Sequence, residues 1–211
     1  MPESRALRAD ARRNVEKLLA AAREVFCERG LGAPLDAVAV RAGVSIGTLY
    51  NRFPTREALI DAALPELVAC EMAAVADHAL AEATPWRRFA AYLEGMCASQ
   101  MGDQAISDVI AGSPHMSAAL SAVCEETFTL GARLVAEAQA DGSLRADVTL
   151  DDVFIAYWLN ARLGEHAGPD ADAASRRHIA IVLDGLRADG ATPLPSNPAH
   201  VAAAVRHLLQ T

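Results

Sequence analysis

"AGVSIGTLYNRFPTREAL", residues 42–59, decides how the chain is read. Gly43 closes one apolar-faced segment, and Ser45 is a good N-cap for the next. Leu49 and Phe53, four apart, turn inward together with Val44. Pro54 stops the short helix, and Thr55 caps a new one with Glu57 near its positive end. Two short helices joined at a glycine turn, with a third before them, make a helix-turn-helix. The last helix of such a unit lies in the major groove with its N-terminal residues toward the base edges. Ser45, Ile46, Gly47, Thr48, Tyr50, Asn51 and Arg52 are the residues of this stretch that the core does not need. Several are the hydroxyl and amide side chains that bind phosphates and bases. Gly47 leaves backbone bare where DNA could approach, and Tyr50 could alternatively pack as a rim aromatic against the first helix.

A formal net charge of −8 argues against a DNA partner until the chain is divided. Residues 1–64 hold ten Lys and Arg against eight Asp and Glu, and residues 65–211 hold nine against nineteen. The motif therefore sits in a mildly basic segment, and local placement decides a contact. Residues 1–13, with Arg5, Arg8, Arg12 and Arg13, read as a flexible basic arm, either solvated or reaching the DNA. From Asn14, apolar residues Val15, Leu18, Leu19, Ala22, Val25 and Phe26 recur at helical spacing up to Gly30. Pro34 suits the first turn of a second helix. Residues 14–64 thus form a helix-turn-helix domain and residues 65–211 a separate helical body.

Hydrophobic residues make up 52% of the 211, much of it alanine, with 5% aromatics. That profile and the scarcity of period-two alternation predict an all-α protein. The longest apolar run, Val153 to Leu159, is too short for a bilayer, and the N-terminus lacks a signal-peptide core. Cys27, Cys70, Cys97 and Cys124 lie far apart without zinc spacing and read as reduced core thiols of a cytoplasmic protein. No metal or cofactor is expected, and no phosphate loop or triad spacing is present. Pro65 interrupts the fourth helix and predicts a kink or a break. Further helical segments begin near Pro85, Met116, Thr149 and Ala174, Thr149 with Asp152 in capping-box spacing. Asp103–Pro114 reads as short and irregular, and Asn197-Pro198 as the start of a last short helix.

The run "LLAAAREVFCERGLGAPLDAVAVRAGVSIGTLYNRFPTREALIDAAL", residues 18–64, resembles the DNA-binding domain of the TetR (tetracycline-repressor) family of bacterial regulators. Its "AGVS", "GTLYNRF" and "PTREAL" match in order and spacing. "DGSLRADVTLDD" and the later "LDGLRA…PLP" resemble one actinobacterial-style subgroup. The resemblance implies a homodimer on a near-palindromic double-stranded operator, with a helical body that binds a small-molecule effector and relieves repression. It implies that Thr48 and Tyr50 meet backbone or bases, that Asn51 holds a contact position often filled by histidine, and that Arg56 places a cation near phosphate. Ile46 departs from the polar or basic residue common there, and Pro34 from a capping Ser or Thr.

For the body, Phe89, Tyr92, Met96, Met101, His115, Phe128, Tyr157 and Trp158 are candidates for an apolar effector pocket, or equally for helix-packing core. The acidic body suggests a cationic effector, or else its charges all lie on the surface. Val153, Ala156, Asn160 and Leu183, on helices near 150–166 and 175–188, are candidates for an isologous dimer contact. Pro65 is a candidate hinge between head and body, or a static bend. An all-helical enzyme built on His78, His115, His166 and His178, and an adaptor that has lost DNA binding, are the competing readings.

Overall fold

The computed structural model describes residues 2–101, 103–110 and 117–195, and over these it contains helices and no strand. The head is built by α1 (Pro2–Arg29), α2 (Leu35–Ala42), α3 (Ile46–Arg52) and α4 (Arg56–Ala63). The body follows as α5 (Pro65–Leu80), α6 (Pro85–Ser99), α7 (Gln104–Ile110), α8 (Ala118–Ala140), α9 (Leu150–His166) and α10 (Ala171–Leu186).

The first helix begins at Pro2, twelve residues before the expected start, so the segment read as a flexible arm is helical backbone. Between Glu3 and Arg29 there is no glycine or proline, and Ala, Leu, Arg and Glu dominate, so nothing stops helix propagation backward from Asn14. Pro34 sits just before α2, with φ −59° and ψ 131°, rather than in its first turn. Gly43 takes φ 69° and closes α2 with its N–H on the last carbonyls, the left-handed stop that a side chain would oppose. Ser45 Oγ accepts from Thr48 N at 3.1 Å and Thr55 Oγ1 from Ala58 N at 3.1 Å, which fixes where α3 and α4 begin.

Pro65 acts as a break. Leu64 alone separates α4 from α5, and Pro65 takes the first helical position, where its missing N–H costs nothing. Within the stretch expected to be short and irregular, Gln104–Ile110 is a helix, and residues 111–114 lie outside the described residues. Thr149 and Asp152 form the reciprocal capping box at α9. The last helix expected near Asn197 lies outside the described residues.

Two buried clusters hold the chain together. The first gathers Leu18, Val25, Phe26, Leu31, Val38, Leu49, Leu59 and Ile60 from the head, and continues into the body through Val68, Ala105, Val109 and Leu120. The second joins Phe89, Leu93, Cys97, Leu134, Leu144, Tyr157, Ile179 and Leu183 within the body. Each fully buried Leu or Phe contributes about 1.5–3 kcal/mol relative to exposure. Because the first cluster crosses Leu64, head and body share apolar core. At the far end Arg145 clasps the exit of α10: it donates to Gly185 O at 3.2 Å and pairs with Asp147 at 2.6 Å, while Leu194 N donates to the same carboxylate at 3.0 Å.

Candidate DNA-binding face and effector cavity

On α3 the inward residue is Leu49, fully buried in the head core. Around the rest of the helix Tyr50 is 49% exposed, and Asn51 and Arg52 are also exposed. Ser45 and Gly47 are exposed at the N-terminus of α3, and Thr48 Oγ1 lies 2.9 Å from Ser45 Oγ. A Cβ on Gly47 would meet nothing nearer than Ser45 Oγ at 3.8 Å, so packing does not require glycine there. Ser45, Gly47, Tyr50 and Asn51 are thus exposed and Thr48 half-buried.

Two members of the expected face also make contacts within the head. Ile46 is partly buried and packs against the head core, so it is not spare as the sequence suggested. At the first position of a short helix the sequence pattern does not say which side an apolar residue faces. Arg56 Nη1 donates to Leu31 O at 2.8 Å and to Ala33 O at 2.6 Å, bracing the turn between α1 and α2. That guanidinium is a strut of the head, set by two carbonyls that sequence spacing cannot reveal. Arg23 does the same for the end of α4 through Ala63 O at 2.8 Å, and Arg41 is paired with Glu24 and Glu28.

Within the body lies a cavity of about 210 Å³. Its walls come from α5 (Val68, Met72), α6 (Phe89, Tyr92, Leu93, Met96), α7 (Ile106, Val109), α8 (Val123, Cys124, Thr127, Phe128, Gly131, Val135) and α9 (Leu150, Val153, Phe154, Tyr157). Among the expected pocket residues Phe89, Tyr92, Met96, Phe128 and Tyr157 line it. Phe128 is 42% exposed while lining the wall, which puts it where the cavity meets solvent, and its ring stacks on Phe154 at 5.6 Å. Met101 and Trp158 do not line it: Met101 packs against Gly164 of α9, and Trp158 has the Arg162 guanidinium 5.2 Å above its ring. His115 lies outside the described residues.

Among the described residues no acidic or basic side chain lines the cavity, so its described wall gives no counter-charge to a cationic effector. The titratable groups in its wall are Tyr92, Tyr157 and Cys124, and burial pushes all three upward, so they stay protonated near neutral pH. Tyr92 donates its hydroxyl to Thr127 O at 2.7 Å, and Thr127 donates to Val123 O at 2.8 Å.

Sequence reasoning missed α7. Ile106 and Val109 face the cavity, while Asp108, between them, accepts from Leu31 N at 2.6 Å across the head–body boundary. Gly30 is the residue that permits this. Its φ of 77° suits glycine, and a Cβ there would collide with the Asp108 carboxylate. A seven-residue helix therefore touches the cavity on one face and the α1–α2 turn on another, and that turn is the one Arg56 braces. An Ile and a Val flanking an Asp at positions 106–109 carry no periodic signal long enough to identify such a helix.

The expected dimer residues mostly face inward. Asn160 is fully buried and donates to Cys97 O at 3.2 Å and Gln100 Oε1 at 2.7 Å, while Ser175 Oγ donates to it at 2.8 Å. Leu183 belongs to the body core, Val153 to the cavity wall, and Ala156 is half-buried. The outward apolar residues of α9 and α10 are instead Leu159, 48% exposed, and Ile181, 63% exposed. Both helices have apolar residues on more than one side, so periodicity alone does not separate the face turned to the chain's own core. Cys70 is also exposed rather than a core thiol, and the four cysteines are free. Among the described residues no helix is long and apolar enough to cross a membrane, and no group of His, Cys, Asp or Glu could hold a metal ion.

Comparison with known proteins matches both parts of the chain. Residues 18–63 fit the family model of bacterial regulatory proteins of the tetR family, and residues 84–188 the C-terminal domain of SbtR-like transcriptional regulators. No curated protein sequence matches significantly. Among solved structures, the TetR transcriptional regulator SCO0520 from Streptomyces coelicolor is 33% identical over 82% of this chain and 98% of its own, with a TM-score of 0.52. FadR from Bacillus subtilis, solved with stearoyl-CoA, is 16% identical over 81% and 98% with a TM-score of 0.60. NemR from E. coli in its reduced form is 20% identical over 85% and 100%, also at 0.60, and these two show the fold alone. With the helix-turn-helix head, the helical body and the Streptomyces relative in agreement, the chain belongs to the TetR family of DNA-binding transcriptional regulators.

Proposed function

We propose that the protein is a ligand-responsive homodimeric repressor, which holds a near-palindromic operator and releases it when a small molecule enters the body cavity. The observation that carries this reading is α7. Its Ile106 and Val109 line the cavity, and its Asp108 holds the head at Leu31 N. A molecule that favours a different placement of α7 shifts the equilibrium between two head positions by its differential affinity for them. Leu64 and Pro65, between the end of α4 and the first turn of α5, are the joint at which the head can reorient relative to α5, the hinge role suggested by the sequence.

On the DNA side, Ser45, Gly47, Thr48, Tyr50 and Asn51 form the recognition surface, with Arg52 beside them. The exposed tyrosine, amide and hydroxyl suit phosphate and base-edge hydrogen bonds. The acidic body keeps DNA on the head alone. Leu159 and Ile181 supply the apolar centre of an isologous α9–α10 contact between two copies, with Ala156 and Val182 beside them.

A footprinting and sedimentation experiment tests the reading. The protein should sediment as a dimer and protect two half-sites about 34–36 Å apart, or a multiple of that spacing. Affinity should fall steeply with salt, by about 0.9 log units per log unit of salt for each phosphate neutralised. Equal binding to every duplex, or a monomer on DNA, would falsify it.

A further inference from the structure

The cavity wall also restricts what can occupy it. Resting on the reading above that this cavity takes the effector, we infer that the effector is an uncharged, largely apolar molecule of about eight to ten heavy atoms, a substituted single ring or a small fused ring. The size follows from the volume. A cavity of about 150 Å³ lined by apolar side chains holds benzene, and the same filling applied to the 210 Å³ here gives roughly two fifths more atoms.

The charge follows from the lining. Every wall residue from the five helices is apolar, aromatic, a glycine, a threonine or a cysteine. A carboxylate, phosphate or ammonium group drawn inside would leave water and find no counter-ion. The nearest polar groups give it little. The Tyr92 hydroxyl proton is already donated to Thr127 O and the Thr127 hydroxyl proton to Val123 O. With the two tyrosines and Cys124 held in their protonated forms by burial, the described wall residues carry no charge near neutral pH. The aromatic rings of Phe89, Tyr92, Phe128, Phe154 and Tyr157 instead favour a flat, ring-bearing guest, which can stack offset or edge-to-face against them.

Thermal unfolding of the full chain with a matched set of probes tests this. Indole and ethylbenzene are the neutral members, and benzoate and benzylammonium, of nine and eight heavy atoms by formula, are size-matched single-ring probes with a negative or a positive charge. Saturation at a hundredfold excess over Kd should raise Tm by about 5–10 °C for the neutral probes. Charged analogues at equal concentration should shift it by less than 1 °C. Val123→Phe fills the cavity from α8 and should weaken neutral-probe binding at least tenfold. Leu150→Phe fills it from α9 and serves if the first variant does not fold. The same probes are then added to the protein bound to a DNA site selected from random sequence.

Neutral probes that bind, are blocked by the fillers and release DNA support both this inference and the reading beneath it. Charged analogues that bind as tightly and release DNA overturn the neutral class while leaving ligand response standing. Neutral probes that bind in the cavity but leave DNA binding unchanged support the class of guest and overturn the effector reading. Binding that both filling variants leave intact, or no binding by any probe, overturns the inference.

Discussion

Removing the carboxylate of Asp108 is the sharpest test of how the body speaks to the head. Asp108 Oδ2 accepts the Leu31 amide at 2.6 Å, and Leu31 is fully buried, so no water can replace the lost acceptor without entering the core. A hydrogen bond to an ionised acceptor contributes about 1.5–3 kcal/mol, and an orphaned buried N–H costs a similar amount. Asp108→Ala should therefore lower stability by about 2–3 kcal/mol. Asp108→Asn keeps a neutral oxygen at the same position and should lose about 1 kcal/mol or less. Urea unfolding measures both. The functional arm uses fluorescence anisotropy on a labelled operator, with and without ligand. Asp108→Ala should retain operator binding but need a much higher ligand concentration for release, because α7 no longer pulls on the α1–α2 turn. An Asp108→Ala protein within about 0.5 kcal/mol of the parent, and released by the same ligand concentration, would refute the reasoning.

The remaining predictions concern three other places. Asn160→Ala deletes the hub that joins Cys97 O, Gln100 and Ser175, and should cost about 3 kcal/mol in urea unfolding without changing the monomer–dimer equilibrium; weakened dimerisation at unchanged stability would restore it to the interface. Tyr50→Ala and Asn51→Ala should each weaken operator binding by about 1–3 kcal/mol with Tm unchanged, whereas Arg56→Ala should lower Tm first, because its partners are the Leu31 and Ala33 carbonyls. In a thiol-labelling time course near pH 8, Cys70 should react first and Cys97 last. Burial raises the Cys97 and Cys124 thiols and brings Cys27 to about 11, with Asp103 adding to the rise.

The head was legible in the sequence because its signals are local. Ser45 and Thr55 cap the helices that they predict, Gly43 has the positive φ that its place at a helix end suggests, and Leu49 and Phe53 share the buried side. The contacts of Ile46 and Arg56 within the head are not legible, because the groups they meet lie on other segments: the head core for one, two carbonyls about 25 residues away for the other. The body shows the same division. Helical spacing located Phe89, Tyr92, Met96 and Tyr157, which are both core and cavity wall. Nothing local distinguishes Asn160, turned toward α6, from a polar residue at an interface. The start of α1 was missed for a different reason, since a basic composition suggests an arm while the same residues are good helix formers.

The close approach of Gly30 to Asp108 has a consequence for building hybrid regulators. A head exchanged at Leu64 between relatives keeps its covalent joint but meets a foreign α7. If the incoming head has any residue other than glycine at position 30, its side chain enters the space of the Asp108 carboxylate. If the recipient body lacks the carboxylate, the Leu31 amide is stranded. Working chimaeras should therefore be those that move residues 30 and 108 as a pair. Those that move only the head should fold into a sensor whose two halves no longer report to each other.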